Sequence, residues 1–237
     1  MTPSTELPGT TLFPPEQKAE LRERFLKVDT ANVADILDEM GHPDYGLASS
    51  FWPIRESQNK LAGWAYTIRG QMTPYAGSGD PAKMKAVAGL EAGQISVWSG
   101  GGASGVCFFG ELIARGMQHR GCVGALIDGG IRDIEWIAQM NFPVFTQYRS
   151  PVQSIGRWGV NAWQVPVYLP GATTERVTVR PDDFILADFD GAVVIPIELV
   201  TAVLEKAEAL TLKEVSIRED LDKGMGLPEV LEKYGHV

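Results

Sequence analysis

Apolar residues recur along the chain with two periods, and the period changes from segment to segment. Val33, Ile36, Leu37 and Met40 fall at i, i+3, i+4 and i+7, which is one face of a helix. Thr30 or Asn32 stands where that helix needs an N-cap, and Gly41 where it would end. The stretch from Pro15 to Val28 predicts a helix before it, with proline in the first turn. From Gly63 to Met72 the pattern alternates and is rich in β-formers, which predicts a strand. Residues 81–91 predict a short helix, and Gln94 to Ser99 a strand. A glycine-rich loop follows, then FFGELIARGMQHRG, read as a helix ended by Gly121. VGALID reads as a buried strand, RDIEWIAQMN as a helix and FPVFTQ as a further strand. This alternation from Gln94 to Gln147 predicts parallel strands covered by helices.

After Val165 the character changes. RVTV, FILADFD and AVVIP are short strands in a β-meander, with a hairpin at Asp190-Gly191. Residues 197–216 predict a long helix, with a charged tail beyond it. Residues 1–14 are rich in Pro, Thr and Gly and read as an arm ordered by a neighbour. The expected division is an N-terminal arm and helix (1–28), a core (29–196) and a C-terminal helical extension (197–237).

Composition narrows the function classes. The chain has 237 residues, 44% of them apolar, and its 21 Lys and Arg against 30 Asp and Glu give a net charge of −9. That balance argues against a duplex-binding protein, whose affinity comes mostly from cations on phosphates. No apolar run approaches the roughly 20 residues of a membrane span, and the N-terminus lacks the basic start of a signal peptide. Cys107 and Cys122 sit in apolar or glycine-rich surroundings and read as buried thiols. The expectation is a cytoplasmic protein with no membrane or nucleic-acid partner.

Three places carry candidate chemistry. Gly100, Gly102 and Gly105 satisfy G-x-G-x-x-G, and Asp128 ends the next predicted strand, which is the pattern of a dinucleotide site. A lone match is weak: two helices and a strand precede it, and the second half of a Rossmann unit is missing. IDGGIRD ends a strand and opens a helix. Arg132 could fork onto a carboxylate, and Asp133 offers a hard oxygen for Mg²⁺, the two side chains pointing in different directions. The bland alternative is a helix cap at Asp133 and a surface arginine. Glu111 lies in the first turn of the helix after the glycine loop, where an acid also simply complements the helix dipole. Lys83 and Lys85 sit in a polar segment and are poor Schiff-base candidates. His42, His119 and His236 form no zinc spacing, and no G-x-S-x-G elbow is present.

Glu111, twenty intervening residues, then Arg132-Asp133 in a strand-loop-helix frame carry a family resemblance. With FPVF and VRPDDFILADFDGAVVIP, they make the chain similar to the RraA-like family over about Thr30 to Pro196. That family holds class II 4-hydroxy-4-methyl-2-oxoglutarate / 4-carboxy-4-hydroxy-2-oxoadipate aldolases and regulators of ribonuclease E activity. The resemblance implies an α/β fold of the swivelling β/β/α type, with N-terminal helices and a C-terminal helical extension. It implies a homotrimer or homohexamer with a cleft between subunits. Arg132 would bind the carboxylate and keto oxygen of a keto-acid substrate. Asp133 would ligate Mg²⁺ or Mn²⁺, with Glu111 reaching the metal through a water. Gly110, Leu112 and Ile113 would receive the carboxylate on backbone amides, and Glu208 or Glu214 would come from an adjacent subunit. The implied activity is a lyase forming a pyruvate enolate, with oxaloacetate decarboxylation through the same enolate. The alternatives are a regulator that binds an RNA-degrading enzyme, and a metal-dependent hydratase acting on another keto- or sugar-acid. One departure stands out: the aldolases usually carry Asp where this chain has Glu111.

Overall fold

The structure, a computed structural model, describes residues 12–58 and 60–235. Helices α1 (Pro15–Phe25) and α2 (Thr30–Glu39) lead into β1 (Trp52–Pro53) and the long β2 (Leu61–Met72). Next come α3 (Pro81–Ala88), β3 (Gln94–Ser99), β4 (Cys107–Phe109), α4 (Glu111–His119), β5 (Gly124–Ile131), α5 (Ile134–Ala138) and β6 (Val144–Arg149). Strands β7 (Trp158–Trp163), β8 (Val167–Pro170), β9 (Arg176–Val179), β10 (Phe184–Asp188) and β11 (Gly191–Ile195) precede α6 (Val200–Asp222) and α7 (Leu227–Tyr234).

The main sheet runs β1-β6-β5-β3-β2-β10-β11, with β4 beside β5 and β7 beside β2. As the alternation from Gln94 predicted, β3, β5 and β6 are parallel; β2 joins them in the same direction, so the carboxyl ends share one edge. Successive strand residues face opposite sides, and the sequence uses both sides. Tyr66, Ile68, Trp98, Ala125 and Ile127 meet the helical layer of α3, α4 and α5. On the same side, Trp64, Phe184 and Leu186 meet α1, α2 and α6. Ala65, Ile95, Val97, Leu126 and Ile185 face the other way, against Val167, Leu169, Val177 and Val179 of the β8–β9 ribbon. The layers are therefore ribbon, sheet and helices.

Several expectations need correction. FFG of the fourth predicted helix is β4 and its exit, because Cys107 and Phe109 pair with Gly130 and Ile131 before the helix begins. The charged tail holds a helix, α7, whose N-terminal Gly226 is bonded by the Glu229 carboxylate. Strands β7 and β8 form where no strand is expected, and RVTV pairs with β8 rather than with FILADFD. The arm reading lies outside the described residues through residue 11, but Phe13 is buried against Trp64 of the same chain. His236 is also outside the described residues.

The cap of α2 differs too. Asp29 occupies the N-cap position without a side-chain cap bond. The job falls to Asp188 at the β10–β11 turn, whose carboxylate accepts from the Thr30 amide at 2.8 Å and the Thr30 hydroxyl at 2.5 Å. Asn32 instead donates to Thr211 and Glu214 of α6. Burial raises the Asp188 carboxyl pKa, but the Thr30 donors and the Lys60 ammonium outweigh it and hold the group below the usual carboxylate range. Because the folded pKa is depressed, this stabilisation is present above the unfolded value and is lost as pH falls through the folded one. Asp188→Ala removes a cap and orphans two buried donors, a cost of about 3 kcal/mol. A drop of roughly 6–12 °C in melting temperature is expected, measured by circular dichroism at neutral pH.

Candidate active site

Two strand ends converge at the carboxyl edge of the sheet. β4 ends at Phe109 and β5 at Ile131, and the Arg132 amide donates to the Phe109 carbonyl at 3.1 Å, tying the two exits together. Asp133 then adopts a left-handed conformation, φ 61° and ψ 35°. That geometry is uncommon for a residue with a side chain, and Asp tolerates it better than most. It caps α5 only by position; its side chain makes no cap bond there. Instead Asp133 Oδ2 accepts from the Glu111 amide at 3.3 Å, at the start of α4. Oδ2 also lies 3.5 Å from Arg132 Nε. The expectation that Arg132 and Asp133 point apart is therefore wrong, and the left-handed turn is the reason they converge. Gly110 is needed for this approach: a Cβ there would lie 2.7 Å from Asp133 Oδ2.

An open cleft of about 410 Å³ lies beside them. Arg132, Asp133, Glu135, Trp136, Arg149 and Ser150 line it. Gly110, Glu111, Leu112 and Ile113 do not line it; they join through the Glu111 amide on Asp133. The Glu111 carboxylate, only 17% exposed, is paired with Arg115 one turn along α4. The first-turn amides of Leu112 and Ile113 have no helical carbonyl to meet and remain as donors. Glu208 and Glu214 are placed elsewhere within their own chain. Glu208 accepts two bonds from Arg24 of α1, at 2.9 and 2.7 Å, and Glu214 pairs with Arg218 at 2.6 Å.

Arg149 was missed in the sequence. It ends β6, beside Ile131 in the parallel register, and forms no ion pair among the described residues. It lines both the cleft and an adjoining pocket of about 190 Å³ with Trp52, Gln147 and Tyr148. The rule that ligands gather at the carboxyl ends of parallel strands pointed to this position.

The glycine-loop reading does not survive. The loop runs into β4, not into a helix, so no helix N-terminus faces a pyrophosphate. Asp128 is spent on the Gly100 amide at 3.2 Å and on Gln147 at 2.9 Å. A Cβ on Gly100 would lie 2.2 Å from the Asp128 carbonyl oxygen, so the glycine serves close packing of the loop on β5. Tyr148 and Ser150 fasten the same loop through the carbonyls of Ala103, Val106 and Gly105. Cys107 and Cys122 are buried and free, as expected.

A divalent cation has one direct donor here. Among the described residues no three His, Cys, Asp or Glu side chains gather. The protein contacts of Asp133 fall on Oδ2, leaving Oδ1 as a hard oxygen donor beside an open cleft. One carboxylate plus several waters suits Mg²⁺, which dehydrates reluctantly, so the residues present fit such an ion.

The RraA-like family, described as Aldolase/RraA, matches residues 30–194. The chain belongs to this family. A Halalkalibacterium halodurans protein with the provisional name 4-hydroxy-4-methyl-2-oxoglutarate aldolase is 28% identical over 215 residues, 90% of this chain and 94% of the relative. Protein DlpA of Legionella pneumophila is 25% identical over 227 residues, 96% of this RraA-like chain but only 36% of DlpA. The chain thus spans about a third of DlpA's length. The crystal structure of Streptomyces coelicolor RraAS2, described as an unusual member of the RNase ES inhibitor RraA protein family, superposes with a TM-score of 0.72 at 24% identity. That superposition covers 84% of this chain and 96% of RraAS2, and shows the common fold. The RraA-like α/β fold expected from the motifs is therefore the fold observed. Among the described residues no helix is long and apolar enough to cross a membrane.

Proposed function

We propose that this RraA-like chain is a divalent-metal-dependent lyase that releases pyruvate through its enolate. Its substrates on this reading are a 4-hydroxy-2-keto acid, cleaved as an aldol, and oxaloacetate, decarboxylated. The observation that carries the reading is the convergence of Arg132, Asp133 and the Glu111 end of α4 at the strand ends. Asp133 would hold Mg²⁺ or Mn²⁺, with Glu111 reaching it through a water. When bound, the cation supplies positive charge beside the keto oxygen, where enolate charge develops. Arg132 binds the pyruvyl carboxylate and keto oxygen with its fork and holds the scissile bond against that charge. The amides of Leu112 and Ile113 receive the same carboxylate from the helix side. Glu111 holds the water that takes the C4 hydroxyl proton, and the electrons of the C3–C4 bond pass into the enolate. The proton taken up by that water is then delivered to C3 of the enolate, which completes pyruvate. Arg149 stands ready for a second carboxylate of the substrate.

A ring-shaped homo-oligomer, trimer or hexamer, belongs to the same reading. Leu112 and Trp136, 80% and 59% exposed beside the site, are apolar surface that a neighbouring copy would cover. The direct test is pyruvate release from oxaloacetate with Mg²⁺ or Mn²⁺, then with EDTA, corrected for decarboxylation by the free metal. Release above that background, lost on chelation, is expected. Absence of release, together with binding to an RNA-degrading enzyme that needs no metal, would transfer the chain to the regulators. Turnover of keto- or sugar-acids without pyruvate would point to a hydratase.

A further inference from the structure

Lys83 lies in the first turn of α3, and the structure corrects its reading as a residue of a polar segment: it is only 7% exposed. Its ammonium donates to the Phe108 carbonyl at 3.0 Å and to Ser154 Oγ at 3.4 Å, and sits 5.2 Å from the Trp158 ring centroid. It forms no ion pair among the described residues. The nearby Asp80 is occupied as the cap of α3, accepting from the Lys83 amide at 3.0 Å, and also accepts from the Val160 amide at 2.9 Å. An ammonium this deep without a contacting carboxylate is costly. Burial lowers its pKa first of all; Asp80 and Cys107 oppose that shift and Arg132 adds to it.

The carbonyl it holds explains the placement. β4 is three residues long and pairs with β5 through Cys107 and Phe109, with an irregularity between them. Phe108 is the residue between, and its carbonyl has Lys83 as its partner rather than the ladder. Its ring stacks on Trp158 at 4.1 Å, and Trp158 in turn donates to the Gly100 carbonyl at 2.9 Å. One ammonium thus joins α3, β4 and the segment before β7. Two residues beyond Phe108, the chain reaches Gly110 and the Glu111 amide on Asp133.

We propose that Lys83 is a positioning residue of the active site: by holding the Phe108 carbonyl it fixes β4, and through β4 sets the Gly110–Glu111 end against Asp133. Lys83 does not line the cleft. Its influence falls on one half of the site. Arg132 follows β5, which is held by β3 and β6, whereas Glu111 is delivered by β4. Loss of Lys83 therefore disturbs Glu111 and reaches Arg132 only at its amide, which donates to the Phe109 carbonyl, while β3 and β6 keep the guanidinium at its strand end.

The test is Lys83→Met, read first by hydrogen exchange in the full chain. The amides of Glu111, Ala114 and Arg132 exchange about tenfold faster or more, while those of α6 keep their rates. The turnover arm rests on the pyruvate reading above: kcat falls about tenfold or more, with KM within about threefold, since small misplacements cost that much. Lys83→Arg, which keeps a buried cation and donor, restores most of both. Wild-type exchange at the three amides in Lys83→Met overturns the proposal, as does faster exchange throughout the chain including α6. Should Lys83→Met fail to fold, Lys83→Gln is measured in its place, and wild-type exchange there overturns the proposal equally. A wild-type protein that makes no pyruvate removes the pyruvate reading, and the exchange comparison still decides the role of Lys83.

Discussion

Asp133→Ala is expected to lower metal-dependent pyruvate release by about a thousandfold while the protein still melts cooperatively. The magnitude follows from losing charge stabilisation at the developing enolate, where a single well-placed group is worth about 10²–10³ in rate. Two losses combine: the oxygen that would ligate the cation, and the acceptor that holds the Glu111 amide at 3.3 Å. The effect on folding is small by comparison. Alanine tolerates the left-handed backbone at φ 61° less well than Asp, a cost of about 1–2 kcal/mol. A melting temperature lower by roughly 2–8 °C is therefore expected. Asp133→Asn separates the two losses, because it keeps an acceptor for Glu111 and removes the charge. Its activity should be as low as that of alanine, and its stability close to that of the parent. Full activity in either variant, in the coupled pyruvate assay with Mn²⁺, would remove Asp133 from the mechanism.

Arg132→Lys is expected to be nearly as damaging, about a hundredfold in kcat/KM, with most of the loss in KM. Lysine retains the charge but presents a point ammonium instead of a planar fork, so it cannot bracket a carboxylate and a keto oxygen together. A hundredfold is about 2.7 kcal/mol, the scale of one charge-assisted bond. The substitution also tests whether Arg149 compensates. Both arginines line one cleft, and Arg149 has no ion-pair partner among the described residues to release. If Arg149 binds only a distal carboxylate, Arg132→Lys raises KM for every keto acid alike. If Arg149 takes over the first carboxylate, monoacids suffer less than diacids. Steady-state kinetics on pyruvate-forming substrates of both kinds distinguish these outcomes.

The contrast between elements that could be read in the sequence and those that could not has a physical basis. β3 was legible to the residue because QISVWS is a short β-rich run between polar turns. α2 was legible from one apolar face, yet its cap was not, since Asp188 arrives from 158 residues away. No local pattern encodes such a partner. β7 and β8 were hidden by glycine and proline in WGVNAWQVPVYLPG, which read as punctuation although both strands pair. The aromatic run before α4 was drawn into the helix because a three-residue strand is too short to show a period. Within the site, Arg132, Asp133 and Glu111 stand out as motif residues, and the structure brings the first two side chains and the Glu111 amide together, with the Glu111 carboxylate paired to Arg115. Their relative orientation was not legible, because it depends on one left-handed residue. Lys83 was misread for a related reason: its sequence neighbours are polar, while its neighbours in space are Phe108, Trp158 and Ser154.

The two-sided pairing of β2 has a consequence during synthesis. Trp64 faces Phe184 of β10 across the ladder, 120 residues later in the chain. At about 5–20 residues per second, the ribosome needs roughly 6–24 seconds to deliver that partner. β3 can protect one edge of β2 early, but the other waits, with the backbone groups of Gly63 and Ala65 unpaired. For that interval a nascent chain presents an apolar strand edge able to capture the same edge of a neighbour on one polysome. Crowded translation at high expression should therefore cost yield more than the stability of the finished protein suggests, and slower initiation should recover it.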